Sequence, residues 1–358
     1  MTAASLLPGA ADERRTAAWR LTLDWYAREG RAGLPWRHTR DPYAILISEV
    51  MLQQTQVERV IPKYRSFLAT FPTLAALAAA PTADVIRAWA GLGYNMRAVR
   101  LQRIAQQVMS ELSGVLPESV DGLMALTGVG RYTAGAVACF AFGQPVATVD
   151  TNIRRTLWRL FRGVEPEEWP ASANRDALGL AEWALPEHAA YDWQQALMDL
   201  GATVCLARRP ICERCPLTSV CAAWEEAGAE ALFASGEAIA RLRDRRRQIA
   251  HTEPTRRAVA ESPAPYMAAR PRARRPGQPF VGGARYYRGR IVHALRETAA
   301  EKPLSLSELG ALVKDTYTTD EESWLRGLVD GLARDGLARI IPPTTQDGPE
   351  NAIRVALP

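Results

Sequence analysis

The sequence predicts an all-α protein of two packed helical lobes with a cleft between them, followed after an arginine-rich linker by a small winged-helix-like module. Three observations carry that prediction. Apolar residues recur at three- and four-residue spacing from about Asp12 to Trp224, with no alternating strands among them. Proline and glycine interrupt the run at LPWR, FPT, GLGY, LPES and TGVG. Beyond residue 279 helical spacing resumes and then gives way to two short β-prone runs.

Taken in order, AAWRLTLDWYA, DPYAILISEVMLQ, ADVIRAWAGL, AVRLQRIAQQVMSEL and DWQQALMDLGATV each show one apolar stripe, and residues 12–224 form one helical domain. Residues 225–279 change character. A charged helix is expected to extend over 225–247. HTEPTRRAVAESPAPYMAARPRARRPGQP then has the Pro, Ala and Arg content of a linker. In residues 280–358, RYYRGRIVHALRETA, LSLSELGALVKDTY and DEESWLRGLVDGLARDG read as three amphipathic helices, with LARII and AIRVALP as a small hairpin. Such modules contact either DNA or protein.

The 358 residues leave room for two or three domains, and no apolar run approaches the roughly 18 residues of a membrane span. MTAASLLPGAADERR has neither the basic start nor the apolar stretch of a secretory signal, so a cytosolic, monomeric protein is expected. The net charge of +5 is unevenly spread. Residues 241–276 hold eleven Arg against Asp244, Glu253 and Glu261, a local excess of eight positive charges. A basic arm of this kind suits the phosphates of nucleic acid, although a solubilising linker has the same composition.

The strongest local signal is the spacing Cys205-x6-Cys212-x2-Cys215-x5-Cys221. Four thiolates in a loop over 205–221 can close around one soft metal centre. Three unequal gaps fit a [4Fe–4S] cluster better than zinc, which usually takes two separated CxxC pairs, often with His. Cys139, in AGAVACFAF, reads as core.

At LTGVGRYTAGA, residues 126–136, Gly128 and Gly130 stand just before a helix. A helix start exposes unpaired N–H groups and a positive dipole end, and glycine lets an anion approach them. With VDGLMAL ahead of it, the segment reads as a helix–hairpin–helix clamp for one DNA phosphate. Twenty residues beyond Gly130 stands Asp150, in ATVDTNIRR.

With LPWR, SEVMLQQTQVERVIPKY, GLGY, ALMDLGATVC and the cysteine spacing, these motifs resemble the helix–hairpin–helix superfamily of iron–sulfur DNA base-excision glycosylases, and within it the MutY-type adenine glycosylases. The resemblance runs from about Leu34 to Cys221. It implies a DNA partner carrying a mispair or an oxidised guanine. Cleaving an N-glycosidic bond needs a proton for the leaving base and stabilisation of a cationic sugar, roles that two carboxylates in unlike environments supply. Glu49, inside the apolar ILISEVMLQQ, is the expected acid, its pKa raised by burial. Asp150 is expected to stay ionised and stabilise the sugar, while capping the helix that follows it. The resemblance further implies that Asn152 supports Asp150, that Tyr132 lines the base pocket, and that Arg37 contacts the base or backbone. Gln54 and Tyr94 would insert beside the target pair, with Leu92 behind them. Bifunctional relatives have Lys where this chain has Tyr132, so Schiff-base strand cutting is not expected.

The chain departs from the adenine pattern at Thr127 (Pro is usual), Thr151 (Gly is usual) and Asn95 (Tyr is usual). Nothing in residues 225–358 resembles the Nudix-like domain that checks for 8-oxoguanine in those enzymes. Thymine or uracil mismatch chemistry, or a non-catalytic iron–sulfur DNA-binding regulator, are therefore the alternatives.

Overall fold

Pro8–Glu29 form the first helix, α1, in the computed structural model of the chain, which describes residues 8–166, 169–170, 172–226, 282–299, 302–343 and 353–358. There follow α2 (Pro42–Leu52), α3 (Val57–Thr70), α4 (Leu74–Ala79), α5 (Thr82–Ala88), α6 (Met96–Glu111), α7 (Val120–Met124), α8 (Arg131–Phe142), α9 (Thr151–Phe161), α10 (Ala173–Trp183) and α11 (Ala190–Thr203). The last part of the chain contributes α12 (Ala284–Glu297), β1 (Leu304–Ser305), α13 (Leu306–Val313), α14 (Glu322–Arg334), β2 (Arg339–Ile341) and β3 (Arg354–Ala356). The chain divides into two compact units, one of residues 1–45, 117–124 and 129–262, the other of residues 46–116, 125–128 and 263–358. Among the described residues no helix is long and apolar enough to cross a membrane.

The first unit is built on α1, α9, α10 and α11. Ile153, Leu157 and Leu160, one stripe of α9, share a core with Trp25 of α1, Leu180 of α10, and Trp193, Leu197 and Leu200 of α11. A charged tie lies beside this core. Asp199 of α11 is fully buried and takes Arg31 through one guanidinium nitrogen at 2.7 Å. Arg37 grips the same carboxylate with two nitrogens, both at 2.7 Å. A bidentate pair of this kind fixes orientation as well as distance.

The second unit collects α3 to α6 around Phe67 and Trp89, whose rings meet edge to face at 5.8 Å. The C-terminal module belongs to this unit. Ile86 of α5 and Val99 of α6 are in one apolar core with Ile291, Val292 and Leu295 of α12, Leu309 of α13, and Leu325 and Val329 of α14. The Ala83 amide donates to the Pro358 carbonyl at 3.0 Å. The module runs helix, strand, helix, helix, strand, strand, the order of a winged helix. The sequence reading expects a two-stranded hairpin, but the sheet has three strands in the order β1-β3-β2, all antiparallel. The added strand, Leu304–Ser305, is two residues long and shows no alternation to read. Ser305 also ends it by capping α13, in a reciprocal box with Glu308. Residues 227–279 of the expected linker, with nearly all of its charged helix and the whole basic arm, lie outside the described residues.

Candidate active site

Asp150 sits at the N-cap of α9, in extended backbone, and its Oδ1 accepts the Ile153 amide at 2.7 Å. Asn152 donates from Nδ2 to the other oxygen at 3.3 Å. Arg155, one turn along α9, sets the Asn152 amide. Its Nη2 donates to Asn152 Oδ1 at 2.8 Å and to the Gly201 carbonyl at 2.6 Å, and its Nε donates to the Cys205 carbonyl at 2.8 Å. The helices meet here at a glycine because nothing larger fits: a Cβ on Gly201 would stand 2.6 Å from Asn152 Cβ. Burial raises the Asp150 carboxyl above the ordinary Asp range, against the lowering action of the Ile153 and Asn152 amides and the Arg155 charge. Thr151, beside it, is exposed, so its bulk is directed to solvent.

Glu49 lies on α2, which is apolar on every side. Ile45, Leu46, Ile47, Val50 and Met51 are all buried, and Glu49 itself is 6% exposed. Among the described residues the other buried acid is Asp199, whose charge is matched by two arginines. Glu49 belongs to the second unit and Asp150 to the first.

Gln54 and Tyr94 share a feature the sequence does not show. Both hold positive φ, 58° and 46°, a region that costs an L-residue about 1–2 kcal/mol. Gln54 is exposed, Tyr94 is 51% exposed, and Leu92 is buried at 3%. The two strained turns are joined by Arg97, which sequence reasoning missed. Its guanidinium donates to the carbonyls of Val50, Met51 and Gln53 at the end of α2, to Leu92 and Gly93 before Tyr94, and to Thr55 Oγ1, all within 2.6–3.1 Å. The α2 carbonyls carry the negative end of a helix dipole, which suits a cation. Burial lowers the Arg97 pKa to about 10. The available signal was an arginine next to the apolar stripe of α6, with no acid nearby to account for it.

Gly128 has φ +84° and needs glycine, whereas Gly130 is extended at φ −92° and does not. Gly130 serves by leaving space, since a Cβ there meets nothing within 4 Å. It caps α8 with no side chain, so the helix start keeps its anion-binding character. Tyr132 is the second residue of α8 and is half-buried. Arg37 is tied into α11. Its side chain is 5% exposed, donates to Gln195 at 3.0 Å and is ion-paired to Asp199, which makes it a structural residue.

The four cysteines Cys205, Cys212, Cys215 and Cys221 are half-buried in the first unit. Burial and then the charges of Cys205 and Cys221 push the Cys212 thiol up to about 11. Burial, with the neighbouring thiolates adding to it, takes Cys215 to about 12. Thiols this close hold their protons unless a cation displaces them. Among the described residues no three His, Cys, Asp or Glu side chains converge tightly enough for a single metal ion. Arg159 donates to Cys205 Sγ at 3.6 Å and to the Leu206 and Ala207 carbonyls, which fixes the start of the loop.

Residues 47–174 match the family model described as HhH-GPD superfamily base excision DNA repair protein. An adenine DNA glycosylase of Mycobacterium tuberculosis is 38% identical over 300 residues, 83% of this chain and 84% of that protein. A stretch of that length must run past the cysteine loop. The adenine DNA glycosylase of Homo sapiens is 44% identical over 223 residues, 60% of this chain, and the match spans 40% of the human protein. Among solved structures, a thermostable thymine-DNA glycosylase superposes with a TM-score of 0.55 at 31% identity, covering 60% of this chain and 99% of that one.

Proposed function

The chain belongs to the adenine DNA glycosylases of the HhH-GPD base-excision superfamily, and from that membership we propose a monofunctional enzyme that hydrolyses the N-glycosidic bond of adenine mispaired with 8-oxoguanine or guanine. The observation that carries the reading is Asp150: a carboxylate held at the start of α9 by Ile153 and Asn152, with Arg155 fixing Asn152. Glu49 supplies the proton to the everted adenine, and that proton leaves with the base. Electrons of the breaking C–N bond go to the purine, and Asp150 faces the resulting positive charge on the sugar. Water then completes the hydrolysis with Glu49 directing it. Tyr132 lines the base pocket. It has no amine to form a Schiff base, so the strand stays intact.

Gln54 and Tyr94 enter the duplex beside the target pair, and the start of α8 after Gly130 takes one phosphate. Cys205, Cys212, Cys215 and Cys221 would hold a [4Fe–4S] cluster, which supplies a fixed, charged loop for docking on DNA. The enzyme acts as a monomer on DNA at the nucleoid.

Excision of thymine or uracil opposite guanine is the second reading. It is favoured by the likeness to the thymine-DNA glycosylase and by Asn95 and Thr151. The buried Glu49 favours adenine, because thymine offers no ring nitrogen for an acid to protonate. A single-turnover panel of A:8-oxoG, A:G, T:G and U:G duplexes tests both. Release of adenine, lost in Glu49→Gln and Asp150→Asn, is the expected result; release of thymine or uracil alone would replace it. Borohydride trapping of the wild-type enzyme on DNA would overturn the monofunctional assignment.

A further inference from the structure

Asn95 occupies the N-cap position of α6, where an Asn side chain normally accepts an amide of the first turn, yet it caps nothing. Its Oδ1 instead accepts Nη2 of Arg296, from α12, at 2.7 Å. The Arg296 side chain is half-buried, and its Nε is buried with no partner. A cation is expensive in that setting and is retained only where its position matters. Next to Asn95 in the chain, the Tyr94 ring has the exposed Arg285 of the same α12 at 5.7 Å from its centroid and Arg97 at 5.6 Å.

The seat of α12 points the same way. Its buried face, Ile291, Val292 and Leu295, packs in one core with Ile86 of α5 and Val99 of α6. Those two helices flank the loop Gly91–Asn95 on either side in sequence. The third helix of the module, which reads DNA in winged-helix proteins, is preceded by Asp320 and Glu321 and opens with Glu322. Glu321 is paired with Lys314, and the two exposed acids that flank it, Asp320 and Glu322, would repel phosphate. The module is therefore better suited to act on the protein beside it than on a DNA groove.

We propose that the C-terminal module braces the Tyr94 loop, with Arg296 as a positioning residue that acts through Asn95. The departure from the family pattern at 95 and the departure from the family domain at the C-terminus are then one adaptation. The brace keeps Tyr94 in its strained conformation before DNA arrives, so the ordering cost is not met during binding. The proposal rests on the wedge role of Tyr94 in the function proposed above.

The test uses the full chain and compares wild type with Arg296→Gln, Asn95→Leu, the double variant, and Asn95→Asp, which keeps an acceptor for Arg296. Hydrogen exchange on the free protein reads the brace without DNA. Protection of the Leu92, Arg97 and Ala98 amides should fall about tenfold in Arg296→Gln and in Asn95→Leu, no further in the double variant, and hold in Asn95→Asp. Global Tm should stay within about 3 °C. With a duplex carrying 2-aminopurine beside the target adenine, the unstacking signal should weaken in the same variants, with kcat reduced more than KM. Unchanged protection, or losses that add in the double variant, would overturn the brace whether or not the wild type is active. Wild type that releases no base would instead overturn the function reading, with the exchange result still deciding the brace.

Discussion

Asp150 is a residue whose charge works against its own fold. Burial raises its carboxyl above the unfolded value, so the native state binds the proton more tightly and stability falls as pH rises through the folded pKa. Asn caps a helix as well as Asp does, so Asp150→Asn keeps the α9 cap and removes the buried charge. The expected outcome is a loss of turnover of about a thousandfold or more with an equal or higher Tm, read by single-turnover excision and calorimetry. The acid limb of the rate profile should lie above the ordinary Asp value of about 4. Asn152→Ala removes the side-chain hydrogen bond that helps hold the pKa down, leaves the backbone one, and should move that limb to higher pH. At this scale the sequence is informative where chemistry is local. The Asp150 cap and its hydrogen bond from Asn152 are legible because both partners are neighbours in the chain. Arg155 and Asp199 are not, because their partners lie 46 and 162–168 residues away.

Between elements, the polar ties decide geometry and the sequence conceals them. Arg97 satisfies carbonyls from two segments at once, and no motif encodes a convergence of backbone oxygens. Arg97→Met should lower stability by about 3 kcal/mol in chemical denaturation, since buried carbonyls at the end of α2 lose their donor. Asp199 works in the opposite sense to Asp150. Burial would raise its pKa, but the Arg37 hydrogen bonds and charge, helped by Arg31, bring it below the ordinary value. Its stabilisation is therefore complete above the unfolded pKa of about 4 and disappears as pH falls through the folded one. Thermal melts from pH 7 to pH 2 should show that loss. In Asp199→Asn the loss should be absent, and stability at neutral pH should drop by about 3–5 kcal/mol because two guanidinium groups are left uncompensated. Helix positions themselves were readable from apolar spacing, since α9 and α14 each bury one stripe. The strand Leu304–Ser305 was not, because two residues carry no period.

Across the whole chain, positive charge is concentrated in one stretch of the sequence. The eleven arginines of residues 241–276 leave the other 322 residues with a net charge of about −3. A helical protein of that balance gains little general attraction to DNA outside the arm. The sequence supplied the arm and the winged-helix order of the C-terminal module. It did not show that the module shares a core with α5 and α6, because Ile86 and Val99 are ordinary apolar positions until Ile291 and Leu325 are placed on them. The arm's contribution to DNA binding follows from counterion release, in which each neutralised phosphate adds about −0.9 to the slope of log K against log salt. Replacing Arg241, Arg243, Arg245, Arg246 and Arg247 with Gln should make that slope shallower by about 4.5 if each meets a phosphate. If the arm contributes to binding alone, excision under single-turnover saturation at low salt should keep its rate. A slope that does not change in a filter-binding or anisotropy titration would reduce the arm to a solubilising segment, and the affinity would then have to come from the α8 start and the wedge.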